Sequence, residues 1–128
     1  MKEWTVIYRP RFSVWLEQCT MALQTELLAH VEVLSRLGPN LGRPRVDHIK
    51  ASTHPNMKEL RVQFKGDPVR ILFAFDPARR AVLLLGGTKA GDKQWYRRNI
   101  PLADREFSDH VRTMQMEQRS TRRKEDSR

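Results

Sequence analysis

The chain has 128 residues, of which 39% are hydrophobic, and a formal net charge of +9. A chain of this length can bury one hydrophobic core but not two independent ones, and its apolar content is too high for a disordered protein. No stretch approaches the roughly 18 to 20 consecutive apolar residues of a membrane span, and the N-terminal sequence MKEWTVIYRP lacks the apolar core of a secretory signal, so we expect a cytoplasmic protein.

The charge indicates an anionic partner. The stretch 117–128 contains five basic and three acidic residues, so a net charge of +7 remains on residues 1–116. A folded part with that surplus carries a positive surface, as nucleic-acid-binding proteins do. We expect a single domain over 1–116, followed by a basic, polar tail over 117–128 that is disordered.

The cysteine and the histidines predict no metal or redox site. Cys19 is the single cysteine, which excludes an internal disulfide, and its apolar neighbours favour a small core residue. The four histidines are not spaced as metal ligands, so we expect neither a metal nor another cofactor. His48 and His54 precede a predicted strand in a loop, where a mobile imidazole can act as acid or base on RNA, although a loop position is not specific for that role.

The first part of the chain predicts a strand and two helices. Residues 4–8 are β-prone and are followed closely by a proline. Over 12–19 and 23–37 the apolar residues recur at helical spacing, which predicts a helical hairpin. Gly38-Pro39 stops the second helix, and 40–45 is a turn-rich connection.

The middle of the chain predicts three consecutive antiparallel strands. Alternate residues of 57–64 are apolar, so one face of this strand is buried and the other carries charge. A turn leads to the mostly apolar strand 69–75, and a second turn leads to 81–87. The last of these is a continuous apolar run, which is typical of a central strand covered on both faces.

The last part of the chain completes the fold. A helical stripe begins near Asp92 and reaches Met114, with Pro101 inside it, so the segment is either two helices or one kinked helix. We therefore expect an α+β domain that consists of an N-terminal strand, a helical hairpin, an antiparallel three-strand meander and a C-terminal helix, with the helices packed on one sheet.

The predicted meander and the segment after it bring several cations to one region of the sheet. They are Arg61, Arg70, Lys89, Lys93, Arg97 and Arg98, and Tyr96 lies among them. Cleaving RNA without a metal requires activation of the 2′-OH, stabilisation of the charge that develops on the phosphate and protonation of the leaving oxygen. A guanidinium can grip two phosphate oxygens, and a tyrosine can stack on a base or transfer a proton. The alternative is that these side chains are ordinary solvated residues on polar strand faces.

The order and spacing of several segments resemble the RelE/ParE superfamily of toxins, specifically its HigB-like, phage-related branch. These segments are Trp15-Leu16, 37–44, Lys58-Glu59-Leu60-Arg61, 69–72 and 84–89, followed by a basic helix. The resemblance spans about residues 4–111 and implies the RelE-like toxin fold.

The same resemblance implies a function. A toxin of this kind belongs to a type II toxin–antitoxin system, docks in the ribosomal A site and cleaves mRNA without a metal. By this likeness the catalytic residues are Arg61, Arg70, Lys89 and Tyr96, and the RNA-binding residues are Lys58, Lys93, Arg97 and Arg98. The likeness also implies a cognate antitoxin with a helix-turn-helix domain, through which the complex binds operator DNA.

Two other functions fit the same sequence. A ParE-like toxin would poison DNA gyrase without cutting RNA, and a phage-derived nucleic-acid-binding module would have no activity. The converging cations favour the nuclease, because a gyrase poison needs no phosphate-gripping cluster on its sheet.

Overall fold

The computed structural model describes residues 3–126 as a five-stranded sheet with helices on both faces. In chain order the elements are β1 (Thr5–Tyr8), α1 (Pro10–Gln18), α2 (Met21–Leu37), a 3-10 turn (Gly38–Asn40), β2 (Val46–His48), β3 (Lys58–Phe64), β4 (Asp67–Phe75), β5 (Arg80–Thr88) and α3 (Trp95–Asp126). The predicted α+β class and the order of its elements are confirmed, with β2 as an additional strand.

The helical hairpin has local signals at its boundaries. Pro10 begins α1 at a position where its missing N–H is not needed by the helix. The hydroxyl of Thr20 accepts a hydrogen bond from the backbone N–H of Leu23 at 3.2 Å and so caps α2. α2 ends at Leu37 and is capped by Gly38, whose φ is +56°, and a Cβ on Gly38 would lie 2.2 Å from the indole of Trp4. Glycine is therefore required on both conformational and steric grounds, and the predicted helix stop is confirmed.

The sheet has the strand order β1-β5-β4-β3-β2. β1 is parallel to β5, and the other neighbours are antiparallel. Lys65 and Gly66, with φ of +50° and +83°, form the tight turn between β3 and β4, as primed hairpin turns require. β2 pairs with the first half of β3 only, and its three residues are too few to show an alternating pattern in the sequence.

The core has two layers, one on each face of the sheet. On one face, α1 and α2 bury residues such as Phe12 and Leu34 against alternate strand residues such as Ile71. On the other face, α3 buries residues such as Ala103 against Val82 and its neighbours. Both faces of β5 are consequently covered, which explains why its sequence is a continuous apolar run.

α3 is one continuous helix, not two. It begins at Trp95, three residues after the predicted N-cap, and contains Pro101. The proline is exposed, as is Arg97, whose carbonyl group loses its helical partner. The helix continues through 117–126, where the sequence analysis expected disorder, while residues 127 and 128 of that expected tail lie outside the described part. No helix within residues 3–126 is long and apolar enough to cross a membrane.

Candidate functional site

Polar side chains at one end of the sheet gather around a buried carboxylate. Glu59 and Arg61 lie on β3, and Arg70 lies on β4 directly opposite Arg61. Side chains alternate along a strand, so Arg70 is on the same face as Leu72, which packs under α3. The group, which we name the Glu59 cluster, consists of Glu59, Arg61, Arg70, Lys89 and Tyr96.

Glu59 holds the cluster together. Its Oε1 accepts a hydrogen bond from the phenol of Tyr96 at 2.6 Å and lies 3.0 Å from Nε of Arg70. The residue is only 5% exposed. The alternating pattern of β3 assigns Glu59 to the charged face of the strand but does not reveal that α3 brings a tyrosine to that face. A buried carboxylate needs partners of this kind, and Glu59 is the functional candidate that sequence reasoning missed.

The two arginines of the cluster differ in their surroundings. The Arg70 side chain is 11% exposed, and its Nη1 donates to the carbonyl of Val69 at 3.0 Å. Its Nε makes no hydrogen bond, so the 3.0 Å approach to Glu59 is an ion pair without a directed N–H···O contact. The Arg61 side chain is 39% exposed, with Nη2 at 3.6 Å from Asp47 Oδ2 and 3.9 Å from Glu59 Oε2. Arg61 is therefore the accessible guanidinium and Arg70 the buried one.

Tyr96 is held as a neutral phenol. Burial raises its pKa above the ordinary value, the hydrogen bond to Glu59 raises it further, and Arg70 opposes this only in part. The ammonium of Lys89 lies 5.5 Å from the centre of the Tyr96 ring, within cation–π range. At neutral pH Tyr96 can therefore donate a proton or a hydrogen bond but is a poor base.

The position of Tyr96 depends on a glycine of β5. Trp95, the neighbour of Tyr96, packs on the sheet against Gly87, where a Cβ would lie 2.7 Å from the indole Nε1. On the opposite face, a Cβ at Gly86 would lie 2.3 Å from the ring of Trp15. Consecutive glycines thus let one tryptophan approach each face of β5, and the one at Gly87 sets where α3 starts.

The charges of the cluster suit a phosphate. Three basic groups stand against the Glu59 carboxylate, and Asp47 beside Arg61 is a second carboxylate at the rim. One positive charge remains in excess, which matches the single negative charge of a phosphodiester. The arrangement can bind an RNA phosphate and stabilise the further charge that develops on it during cleavage.

The predicted RNA-binding residues lie outside the cluster. Lys58 is next to Glu59 in β3, so its side chain lies on the opposite face of the sheet. There its Nζ lies 5.4 Å from the ring centre of Phe75. Lys93 is exposed in the turn before α3, and Arg97 is exposed in the first turn of α3. Arg98 is paired with Asp92 and holds the pKa of that carboxyl below its ordinary value, which offsets the charge of Arg98.

The predicted loop histidines are placed differently from each other. His48 is an exposed residue of β2. The His54 Nε2 lies 2.9 Å from the hydroxyl of Ser108 and 3.2 Å from the carbonyl of Asp104, and its ring packs edge-on against Phe107. His54 thereby ties its loop to α3, and an acid or base role for His48 or His54 stays a prediction. In the described part of the chain, no three His, Cys, Asp or Glu side chains lie close enough together to hold a metal ion.

Two relatives of similar sequence are named as toxins. The profile of the phage-derived Gp49-like protein family matches residues 14–108, which include the whole Glu59 cluster. A Mycobacterium tuberculosis protein assigned as toxin HigB3 is 49% identical over 100 residues, which cover 77% of this chain and 86% of that protein. The protein assigned as toxin HigB2 of the same organism is 48% identical over 103 residues, which cover 79% of this chain and 51% of the longer HigB2.

A solved structure shares the fold. The toxin RelE of E. coli, an arginine-to-alanine double mutant in the free state, superposes with a TM-score of 0.53 over 73% of this chain and 90% of RelE. The sequence identity is 5%, so the likeness is one of fold alone.

Proposed function

Since the chain belongs to the phage-derived Gp49-like family and is a HigB-like toxin, we propose that it is a ribosome-dependent mRNA endonuclease that acts without a metal. It inhibits translation and growth, and a cognate antitoxin neutralises it. The observation that carries the proposal is the Glu59 cluster, in which a buried carboxylate orders two arginines and a neutral tyrosine at the open end of the sheet.

The cluster supplies two of the three requirements of metal-free RNA cleavage. Arg61 and Arg70 stand opposite each other on adjacent strands, so both guanidinium groups can face one phosphate and stabilise the charge that builds up on its oxygens. Tyr96 is kept protonated by burial and by its hydrogen bond to Glu59, and it can donate that one proton to the leaving oxygen once the O–H turns from Glu59 toward the RNA. Lys89 beside the phenol ring adds positive charge at the same place.

Glu59 has a positioning role in this mechanism. Its Oε1 meets both Tyr96 and Arg70, and it is almost fully buried, so it fixes the relative position of an acid and a cation without meeting the RNA itself.

The partners follow from the family relationship. The cognate antitoxin carries a helix-turn-helix domain, and the complex contacts operator DNA through the antitoxin. The free toxin docks in the ribosomal A site, where its positive surface faces rRNA and the message.

Induced expression of the wild type, Arg61→Ala and Tyr96→Phe tests the proposal, with growth and mRNA 5′ ends followed and the antitoxin supplied or withheld. We expect the wild type to stop growth and to produce new cuts within translated messages, and we expect the antitoxin to prevent both. Each variant should lower cleavage about 100-fold or more, as removal of one charge-stabilising or acid group does. Arg112→Ala is the matched control, since it removes an exposed arginine of α3 that pairs only with Asp109.

Other outcomes separate the alternatives. Growth arrest with intact mRNA and a DNA-damage response would replace the nuclease with a gyrase poison. Absence of arrest by a folded wild type would leave a non-catalytic binding module.

A further inference from the structure

A groove of about 410 Å³ crosses the edge of the sheet beside the Glu59 cluster. We name it the edge groove, and it is lined by His30, Pro44, Arg45, Arg61, Val62, Gln63 and Arg70. It exists because β2 pairs with β3 only as far as Leu60, after which the backbone N–H of Arg61 bonds to the carbonyl of Arg45 at 2.7 Å. The groove therefore begins at Arg61, inside the cluster, and leads away from it.

The lining of the edge groove is cationic. Three arginines and a histidine line it, and no carboxylate does. Arg61 and Arg70 already face Glu59, whereas the exposed side chain of Arg45 has no ion pair or hydrogen bond among residues 3–126. Arg45 is thus a cation free to meet an anion that enters the groove.

Unsatisfied polar atoms collect at the same place. In the described part of the chain, the buried side-chain nitrogens without a hydrogen bond are His30 Nδ1, Arg61 Nε and Arg70 Nε, and all three residues line the edge groove. Nδ1 of His30 is an acceptor when Nε2 donates to Glu26, whereas Nε of Arg61 and Nε of Arg70 are donors. Buried polar atoms of folded proteins are normally paired, so two arginine donors without partners in one groove indicate missing acceptors. Those atoms are themselves covered, and they gain partners only when the side chains rotate toward an anion in the groove.

We infer that the edge groove binds the phosphodiester next to the scissile one, with Arg45 as its contact. This inference rests on the proposed nuclease function, since it extends the path of an RNA strand that crosses Arg61 and Arg70. The free edge of β3 beyond Arg61 is also open to a peptide strand. RNA is favoured because the groove offers guanidinium groups and the amide of Gln63 to phosphate oxygens, and no carboxylate lines it to repel them.

Binding of a fluorescent 2′-O-methyl oligoribonucleotide, which cannot be cleaved for want of a free 2′-OH, tests the inference by anisotropy across a salt series. Arg45→Ala should weaken binding about tenfold, the effect of one hydrogen-bonded charge. The slope of log K against log salt should fall by about 0.7, as expected when one phosphate contact to a single strand is lost. Arg45→Lys should retain most of that slope. Lys50→Ala is the matched control, since it removes an exposed cation of the neighbouring loop that does not line the groove.

Equal binding by Arg45→Ala and Lys50→Ala would overturn the inference, as would failure of the wild type to bind the oligonucleotide. A different result would make the groove a protein-docking surface instead. In that case the wild type binds an acidic peptide, and Arg45→Ala weakens peptide binding but leaves the affinity for RNA unchanged. Cleavage of translated mRNA by the wild type is measured separately. RNA binding through Arg45 without cleavage would overturn the nuclease and leave the RNA contact standing.

Discussion

Arg61 on β3 and Arg70 on β4 are opposite each other in the sheet, but they differ in burial and therefore in role. The family resemblance implies the same catalytic role for both. Arg70 is buried against the buried Glu59 carboxylate, so it supports the fold as well as the site. Arg61 is accessible and has only longer contacts with carboxylates, so its removal tests chemistry with little effect on stability.

Arg70→Ala should therefore destabilise the protein by about 3 to 5 kcal/mol, because it leaves Glu59 buried without its closest cation. Adding Glu59→Gln should recover part of that loss, since the amide carries no charge, while RNA cleavage stays absent. Urea unfolding of the two single variants and the double variant measures this coupling. Arg61→Ala should unfold within about 0.5 kcal/mol of the wild type. Arg70→Ala as stable as the wild type would show that the ion pair does not support the fold.

A second buried carboxylate makes stability depend on pH. Asp76 accepts a hydrogen bond from Nε of Arg80 at 2.8 Å, and its Oδ2 lies 2.8 Å from Nε2 of His110 on α3. Burial by itself raises the pKa of Asp76, but the hydrogen bonds with His110 and Arg80 outweigh it and bring the pKa below the ordinary value. Because the folded state favours the carboxylate, this contribution is present above the unfolded pKa of about 3.9 and is lost as pH falls through the folded pKa.

Asp76→Asn should lower the free energy of unfolding by about 3 kcal/mol near neutral pH, because it removes the charge that Arg80 and His110 face. The difference from the wild type should narrow below about pH 4 as the wild-type carboxyl becomes protonated. Urea titrations at neutral and acidic pH give both values. A difference that stays constant over this range would mean that the charge of Asp76 contributes nothing to the pH dependence.

At the scale of elements, the sequence predicted what periodicity and turn chemistry encode. The strands 57–64, 69–75 and 81–87 agree with β3, β4 and β5 to within two residues at each end, because each has an apolar pattern bounded by turn residues. β2 was not predicted from the sequence, because three residues next to a turn-rich stretch show no periodicity. The helical conformation of 117–126 was not predicted, because its residues are exposed and polar and no apolar stripe marks the helix.

The candidate site was predictable in part for the same kind of reason. Strand positions place Arg61 and Arg70 side by side once the hairpin register is known, and the resemblance drew attention to Lys89 and Tyr96. Glu59 was not predictable, because its role comes from the contact between β3 and α3, which are 37 residues apart at Glu59 and Tyr96. A sequence pattern describes a single helix or strand, whereas this site forms where β3 and α3 are in contact.

Substitutions of Gly86 and Gly87 in β5 distinguish an effect on stability from an effect on the geometry of the Glu59 cluster. Gly87→Ala brings a Cβ to 2.7 Å from the indole of Trp95, so the first turn of α3 must shift and Tyr96 with it. We expect a destabilisation of about 1 to 3 kcal/mol and loss of RNA cleavage. Gly86→Ala meets Trp15 on the other face and should destabilise similarly while a folded fraction still cleaves RNA. Gly42→Ala, which has open space around it, is the control.

Urea unfolding, together with cleavage per folded molecule, tests the two glycines. If Gly87→Ala cleaves RNA as well as Gly86→Ala does at equal folded fraction, the packing of Trp95 does not set the position of Tyr96.

At the scale of the whole molecule, the Glu59 cluster and the end of α3 are separate parts. The family match ends at residue 108, and the buried residues of α3 end at Met114. Residues 117–126 are exposed, and they carry Arg119, Arg122, Arg123 and Lys124 on a helix that extends past the core. A segment with so little burial contributes little to stability, and its surplus of basic residues suits an anionic partner.

Deletion of 117–128 should lower the net charge from +9 to +7 and leave the free energy of unfolding within about 0.5 kcal/mol of the wild type. Because the Glu59 cluster and the edge groove lie outside this segment, the truncated protein should still stop growth and cut translated messages. Growth curves and 5′-end mapping beside urea unfolding give the result. A truncated protein that folds normally but no longer arrests growth would place part of the ribosome contact on the end of α3. One that arrests growth even with the antitoxin present would place the antitoxin contact there instead.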